Sequence, residues 1–160
     1  KPRYANLRGV GTDFVGDASG SDKRFSFSIP APDSDTIHLF ESAIDLLSYA
    51  TLVKMNGGNW NREHLVSLAG VYKPKEELQE SSMPLALKRY LSEHPGIRKI
   101  TLRLDNDAAG GRAAKALISM LSGRYEVSVQ PPLCGKDYND FLCMRLGLPT
   151  THRKGKTAER

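Results

Sequence analysis

Long apolar runs are missing from this 160-residue chain. None approaches the ~20 residues that a membrane-crossing helix needs, and no signal-peptide pattern opens the sequence, so a cytoplasmic protein without membrane contact is expected. Cysteine is scarce. Cys134 and Cys143 have neither CxxC spacing nor the spread of a disulfide framework, which reads as reduced thiols and argues against a cysteine zinc site. The four histidines, His38, His64, His94 and His152, lack metal-ligand spacing and are expected in surface or capping roles. The single tryptophan, Trp60 in NGGNWNREH, is expected to anchor a core edge, with base stacking as the competing use. Acidic residues are in the minority, 18 against 23 basic, and the net charge of +5 suits a polyanionic partner without establishing one.

A chain of this length can bury one domain core. The opening lysine and the polar ending THRKGKTAER suggest a piece of a longer protein, so other domains of that chain are expected partners. Residues 1–33 are rich in Gly, Ser and Asp, with one alternating stretch, Arg24 to Ile29, and read as a hairpin-like lobe closing an upstream domain. Residues 34–149 form the main domain in this reading. Strands are expected at 36–40, 65–68, 99–104 and 125–129, and helices at 42–54, around Met83 to Leu91, around Ala113 to Leu121, and at 140–146. Alternation of this kind predicts an α/β fold, a parallel sheet of about four strands flanked by helices. Residues 150–160 are expected to be a mobile basic tail.

Ligands of such sheets sit at the carboxyl ends of the strands, and three acidic clusters fall there. Phe40-Glu41 closes the first strand, Asp105-Asn106-Asp107 the third, and Gly135-Lys136-Asp137-Tyr138-Asn139-Asp140 follows the fourth. Carboxylates two residues apart on an extended chain point to one side, about 7 Å apart along it, so Asp105 and Asp107 can address one centre. Magnesium needs only one or two carboxylates when water and phosphate complete its octahedron. Glu41 would add a ligand or handle protons, and Asp137 with Asn139 or Asp140 could hold a second cation. Structural uses compete with these. Asp107 and Asn139 are each suited to cap a following helix, and Ser42-Ala43-Ile44-Asp45 fits a capping box, which favours a structural role for Ser42 and Asp45.

Gly110 and Gly111 weaken the helix they open. Either a phosphate approaches that helix end, with Arg112 facing the same anion, or the strand and helix pack tightly there. Lys23, Arg24 and Lys136 are the other cations placed to meet phosphates.

The three segments FESAID, LDNDAAG and KDYND, in that order over about residues 36–147, resemble the successive motifs of a Toprim domain. Within that family they are most similar to primase-like Toprim proteins of bacterial plasmids and conjugative elements. The resemblance implies a Rossmann-like Toprim fold, Glu41 as general acid/base, and Asp105 and Asp107 as ligands of Mg2+, for which Mn2+ can substitute. It also implies metal binding by the later pair, here Asp137 and Asn139, where many primases carry a carboxylate at the second position. The function expected is primase-like nucleotidyl transfer on DNA or RNA, with nucleotides as substrates, in a replication or transfer protein of a mobile element. A nuclease or nicking activity at the same metals, and a non-catalytic DNA- or partner-binding module, are the alternatives.

Overall fold

The computed structural model describes residues 2–10, 12, 14–70, 72, 74 and 82–150. Two short strands, β1 (Asn6–Arg8) and β2 (Val15–Asp17), form an antiparallel hairpin. Then come β3 (Ser28–Ile29), β4 (Thr36–Phe40), α1 (Ala43–Met55), β5 (His64–Ser67), α2 (Leu85–Glu93), β6 (Lys99–Leu102), α3 (Ala108–Leu121), β7 (Glu126–Val129) and α4 (Tyr138–Arg145). The main sheet has the order β3-β5-β4-β6-β7. Its last four strands are parallel and β3 pairs antiparallel at the edge. The α/β architecture expected from the alternation is therefore present, with one strand more than expected.

Strand periodicity divides the core. Ile37 and Leu39 of β4 and Ile100 and Leu102 of β6 face α2 and α3, where they meet Leu87, Leu91, Leu117 and Leu121. Phe40 turns to the other face, against Leu46, Leu52 and Tyr138 of α1 and α4. Successive strand residues point to opposite faces, so His38 and Thr101 lie on the α1 and α4 side.

Four expectations need correction. The hairpin expected in the N-terminal lobe is present, but at β1 and β2 and not in the alternating stretch Arg24 to Ile29, where a 3-10 turn occupies Lys23–Phe25, set by Asp22 accepting the Arg24 N–H, and only Ser28–Ile29 pair, with β5. The strand expected to run to Leu104 ends at Leu102, because Asp105 belongs to a loop tied to its neighbour by Asn106 N–H donating to the Lys136 carbonyl at 2.6 Å. The last helix starts at Tyr138, so Asp137 caps it rather than Asn139. His38 and His64 are buried, not superficial. Each is held by polar partners, His64 by Tyr90 Oη, the Ala31 N–H and the Ser34 carbonyl.

Trp60 packs at the edge of the α1 and α4 core. Cys134 and Cys143 are free thiols. His152 and the tail after Thr150 lie outside the described residues, among which no helix is long and apolar enough to cross a membrane.

Candidate metal centre

Parallel strands deliver their following loops to one edge of the sheet, and the acidic segments meet there. Glu41 leaves β4 with only 5 % of its surface exposed. Its Oε1 accepts the Asp105 N–H at 3.4 Å, a long contact, and its carbonyl accepts the Gly70 N–H at 2.8 Å. Burial pushes the Glu41 carboxyl up to about 7, and the charges of Asp105, Asp107 and Asp45 add to the rise. Asp105 is raised to about 6, first by burial and then by Asp45, with Lys136 opposing. Two neighbouring carboxyls thus hold protons more tightly than solvated ones do.

Asp107 differs. It caps α3, its Oδ1 accepting the Gly110 N–H at 2.8 Å, and that hydrogen bond, aided by Lys136, holds its carboxyl below the usual range. Lys136 bridges the pair, with Nζ 3.2 Å from Asp105 Oδ2 and 3.4 Å from Asp107 Oδ2. Burial works against that ammonium, but the two carboxylates outweigh it and raise its pKa.

Gly110 explains the tight turn. A Cβ on it would stand 2.0 Å from the Asp105 carbonyl oxygen, whereas one on Gly111 would meet nothing within 4 Å. Close packing of strand end on helix is therefore the reason for Gly110; Gly111 has no such constraint. Arg112 is exposed on α3 and pairs with no described residue.

Asp45 joins this cluster as well as the capping box. Ser42 Oγ accepts the Asp45 N–H at 3.2 Å and donates to Asp45 Oδ2, while Asp45 Oδ1 accepts the Asn139 N–H at 3.4 Å. Burial and then Asp137 raise its carboxyl, and the cation of Arg8 on β1 lowers it. Asp137 Oδ1 accepts the Asp140 N–H at 2.7 Å as cap of α4.

The remaining expected site residues lie further off. Asn139 Oδ1 faces Ser48 Oγ at 3.5 Å on α1. Asp140 is buried, and its Oδ2 accepts the Lys136 N–H at 3.2 Å beneath Gly135. Arg24 pairs with Asp22. Lys23 lies beside Asp17 and donates to the Ala69 carbonyl at 2.9 Å, one residue from the Gly70 that touches Glu41.

Sequence reasoning missed two cations. Arg8 gave no signal, because only folding brings the hairpin within electrostatic reach of Asp45. Arg103 did, as a lone charge between Leu102 and Leu104. Its Nε donates to His38 Nδ1 at 2.9 Å and its Nη1 to Tyr138 Oη at 2.8 Å, with the guanidinium 4.2 Å from the Tyr49 ring centroid. His38 Nδ1 therefore accepts, and its Nε2–H donates to Glu63. Burial, then Arg103, keeps that imidazole neutral by lowering its pKa.

Among the described residues no three His, Cys, Asp or Glu side chains already converge as a metal site. The donor set nevertheless fits Mg2+. Asp105 and Asp107 converge on one cation, the Lys136 ammonium, and Mg2+ binds through one or two carboxylates with water and phosphate filling the rest.

A mostly parallel sheet flanked by helices, with carboxylates gathered at the carboxyl edge of its strands, defines an α/β domain. A model of the family described as Toprim-like matches residues 38–142, and the chain belongs to that family. Membership makes it a domain of a metal-dependent class that acts on nucleic acids, with Mg2+ as the general cation. The chain is also similar to a 65 kDa protein of Zymomonas mobilis, 28 % identical over 171 aligned positions that cover 98 % of this chain. It spans 27 % of that relative's length.

Proposed function

We propose that this domain performs primase-like nucleotidyl transfer, joining nucleotides on a DNA or RNA strand within a mobile-element replication or transfer protein. The observation that carries phosphoryl chemistry at this edge is Glu41, a carboxyl that burial pushes up to about 7, set against Asp105 where the cation would lie; the likeness of the three motifs to primase-like members favours transfer over cleavage. A group poised near the working pH can both take and return a proton. Glu41 accepts the proton of an attacking hydroxyl, and Asp105 and Asp107 are the residues that would hold Mg2+. The cation's chemistry is to neutralise phosphate charge and stabilise the entering and leaving oxygens. Lys136, released from the aspartates, is placed to meet a phosphate. Arg8 and Lys23 would line the approaching strand. Asp137 is the acidic group nearest to serving a second cation, since its charge is felt at both Asp45 and Asp105.

Strand cleavage at the same carboxylates is the second reading, and the same proton-handling Glu41 favours it equally. One incubation separates them. Single-stranded template, nucleotides and Mg2+ yield short oligomers from a primase and shortened template from a nuclease. A shifted complex with neither product would identify a binding module instead. Glu41→Gln abolishes either chemistry and leaves binding intact; activity surviving in that variant would remove Glu41 from its role.

A further inference from the structure

A cavity of about 650 Å³ opens below the carboxylates, between α1, α4 and the loop after β7. Its lining is mostly apolar, from Tyr49, Tyr138, Phe141 and the Pro131-Pro132 pair, with Leu133 89 % exposed and the side chains of Asn56 and Gln130 as polar members. Arg103 lines it too. Of the five N–H groups of a guanidinium, one goes to His38 and one to Tyr138, and the other three have no partner among the described residues. None of these nitrogens is both buried and unpaired, and Arg103 is among the residues that line the cavity. Two hydrogen bonds and the Tyr49 stack fix the plane of the guanidinium.

We infer that this cavity is a nucleobase pocket that prefers guanine, read by the free edge of Arg103. The inference rests on the nucleotide-handling function proposed above. A planar ring fits between the aromatic and proline walls, and ring stacking on such surfaces is favourable for any base. The guanidinium edge adds selectivity: guanine presents two adjacent acceptors, O6 and N7, whereas adenine and uracil set a donor beside each acceptor on the edges they offer, and cytosine presents its O2 and N3 pair on a smaller ring that stacks less. A carboxylate ligand would match the same edge. Such a ligand would leave the aromatic and proline surfaces unused, whereas a base engages both those surfaces and the Arg103 edge.

The test is a calorimetric titration with guanosine, adenosine, cytidine and uridine 5′-monophosphates in EDTA, where no metal chemistry operates. The phosphate is common to all four, so the ranking reports the base. Guanosine monophosphate should bind about tenfold more tightly than adenosine and uridine monophosphates, with cytidine monophosphate between them, and Arg103→Lys should remove that ranking. Should Arg103→Lys fold poorly, two other readouts apply. The Arg103 side-chain N–H resonances of the unaltered protein should move on titration with guanosine monophosphate, and Val53→Phe, which narrows the cavity, should weaken all four nucleotides. Equal affinity for the four, a guanine preference that survives Arg103→Lys, or unmoved Arg103 resonances would overturn the pocket. If the catalytic reading alone were wrong, the ranking in EDTA would persist without metal-dependent turnover. If the pocket alone were wrong, turnover would persist with a flat ranking.

Discussion

Removing the proton from Glu41 should destabilise the metal-free protein, and the size of the effect follows from its environment. The carboxyl titrates at about 7 in the fold against an ordinary 4.5, chiefly because it is buried and faces Asp105. A folded-state pKa above the unfolded one means that the native protein binds the proton more tightly. The associated stability is complete below about pH 4.5 and is lost as pH rises through about 7. A shift of this size corresponds to on the order of 3 kcal/mol. Asp105 shifts in the same direction, to about 6, but the two interact, so their contributions do not add. Asp107 works in the opposite sense at lower pH, its depressed carboxyl stabilising the fold above the ordinary aspartate range. Urea denaturation in EDTA should therefore show stability falling between about pH 5 and about pH 8, by roughly 2–3 kcal/mol. Glu41→Gln should flatten most of that slope and exceed the parent protein in stability at the alkaline end. Millimolar Mg2+, held by Asp105 and Asp107, should stabilise both proteins at the alkaline end. A parent protein without slope, or a variant destabilised equally at both ends, would refute the claim that Glu41 is a strained, proton-hungry carboxyl.

Other perturbations are equally specific. Gly110→Ala drives a methyl into the Asp105 backbone and should cost roughly 1–3 kcal/mol together with most metal-dependent activity, whereas Gly111→Ala, in open space, should gain up to about 1 kcal/mol by the same denaturation assay. Lys136→Met takes away the ammonium that competes for Asp105 and Asp107, so Mg2+ affinity of the nucleic-acid-free protein should rise several-fold by calorimetry, while turnover on a phosphate substrate should fall. Ala69 sits at φ 61°, left-handed backbone beside the Glu41 loop, and Ala69→Gly should raise the melting temperature, the gain limited to about 1 kcal/mol by the added freedom of glycine in the unfolded chain.

The elements legible in the sequence were those whose pattern is local. Apolar spacing marked α2 and α3, and the runs at Ile37, Leu65, Ile100 and Val127 marked the parallel strands, because a strand buried in such a sheet reads as a short apolar block. The motifs also pointed to the carboxyl edge, since Glu41 and Asp105 follow their strands closely and Asp137 follows β7 after a Pro-Pro loop. What depends on distant contacts was not legible. Ser28 and Ile29 form a strand only because β5 offers an edge, and two residues carry no period of their own. Asp45 looked like the partner of the Ser42 cap and is bonded to it, yet the approach of α4 also places it against Asn139 and within electrostatic reach of Asp137 and Asp105. The choice between phosphate and packing at Gly110 turned on one carbonyl oxygen, whose position spacing alone does not fix. His38 and His64 were misjudged because their burial rests on partners 25 to 33 residues away, Glu63, Tyr90 and Ala31.

The central claim is that the carboxylates at the sheet edge hold a divalent cation on which Glu41 acts. Mn2+ titration followed by electron paramagnetic resonance tests it most directly, on the unaltered protein and on Asp105→Asn. The account predicts saturable Mn2+ binding that displaces the Lys136 ammonium, strengthens as pH rises through about 7 where the neighbouring carboxyls ionise, and is lost in Asp105→Asn. Equal Mn2+ binding by the two proteins, or binding indifferent to pH over that range, would contradict it.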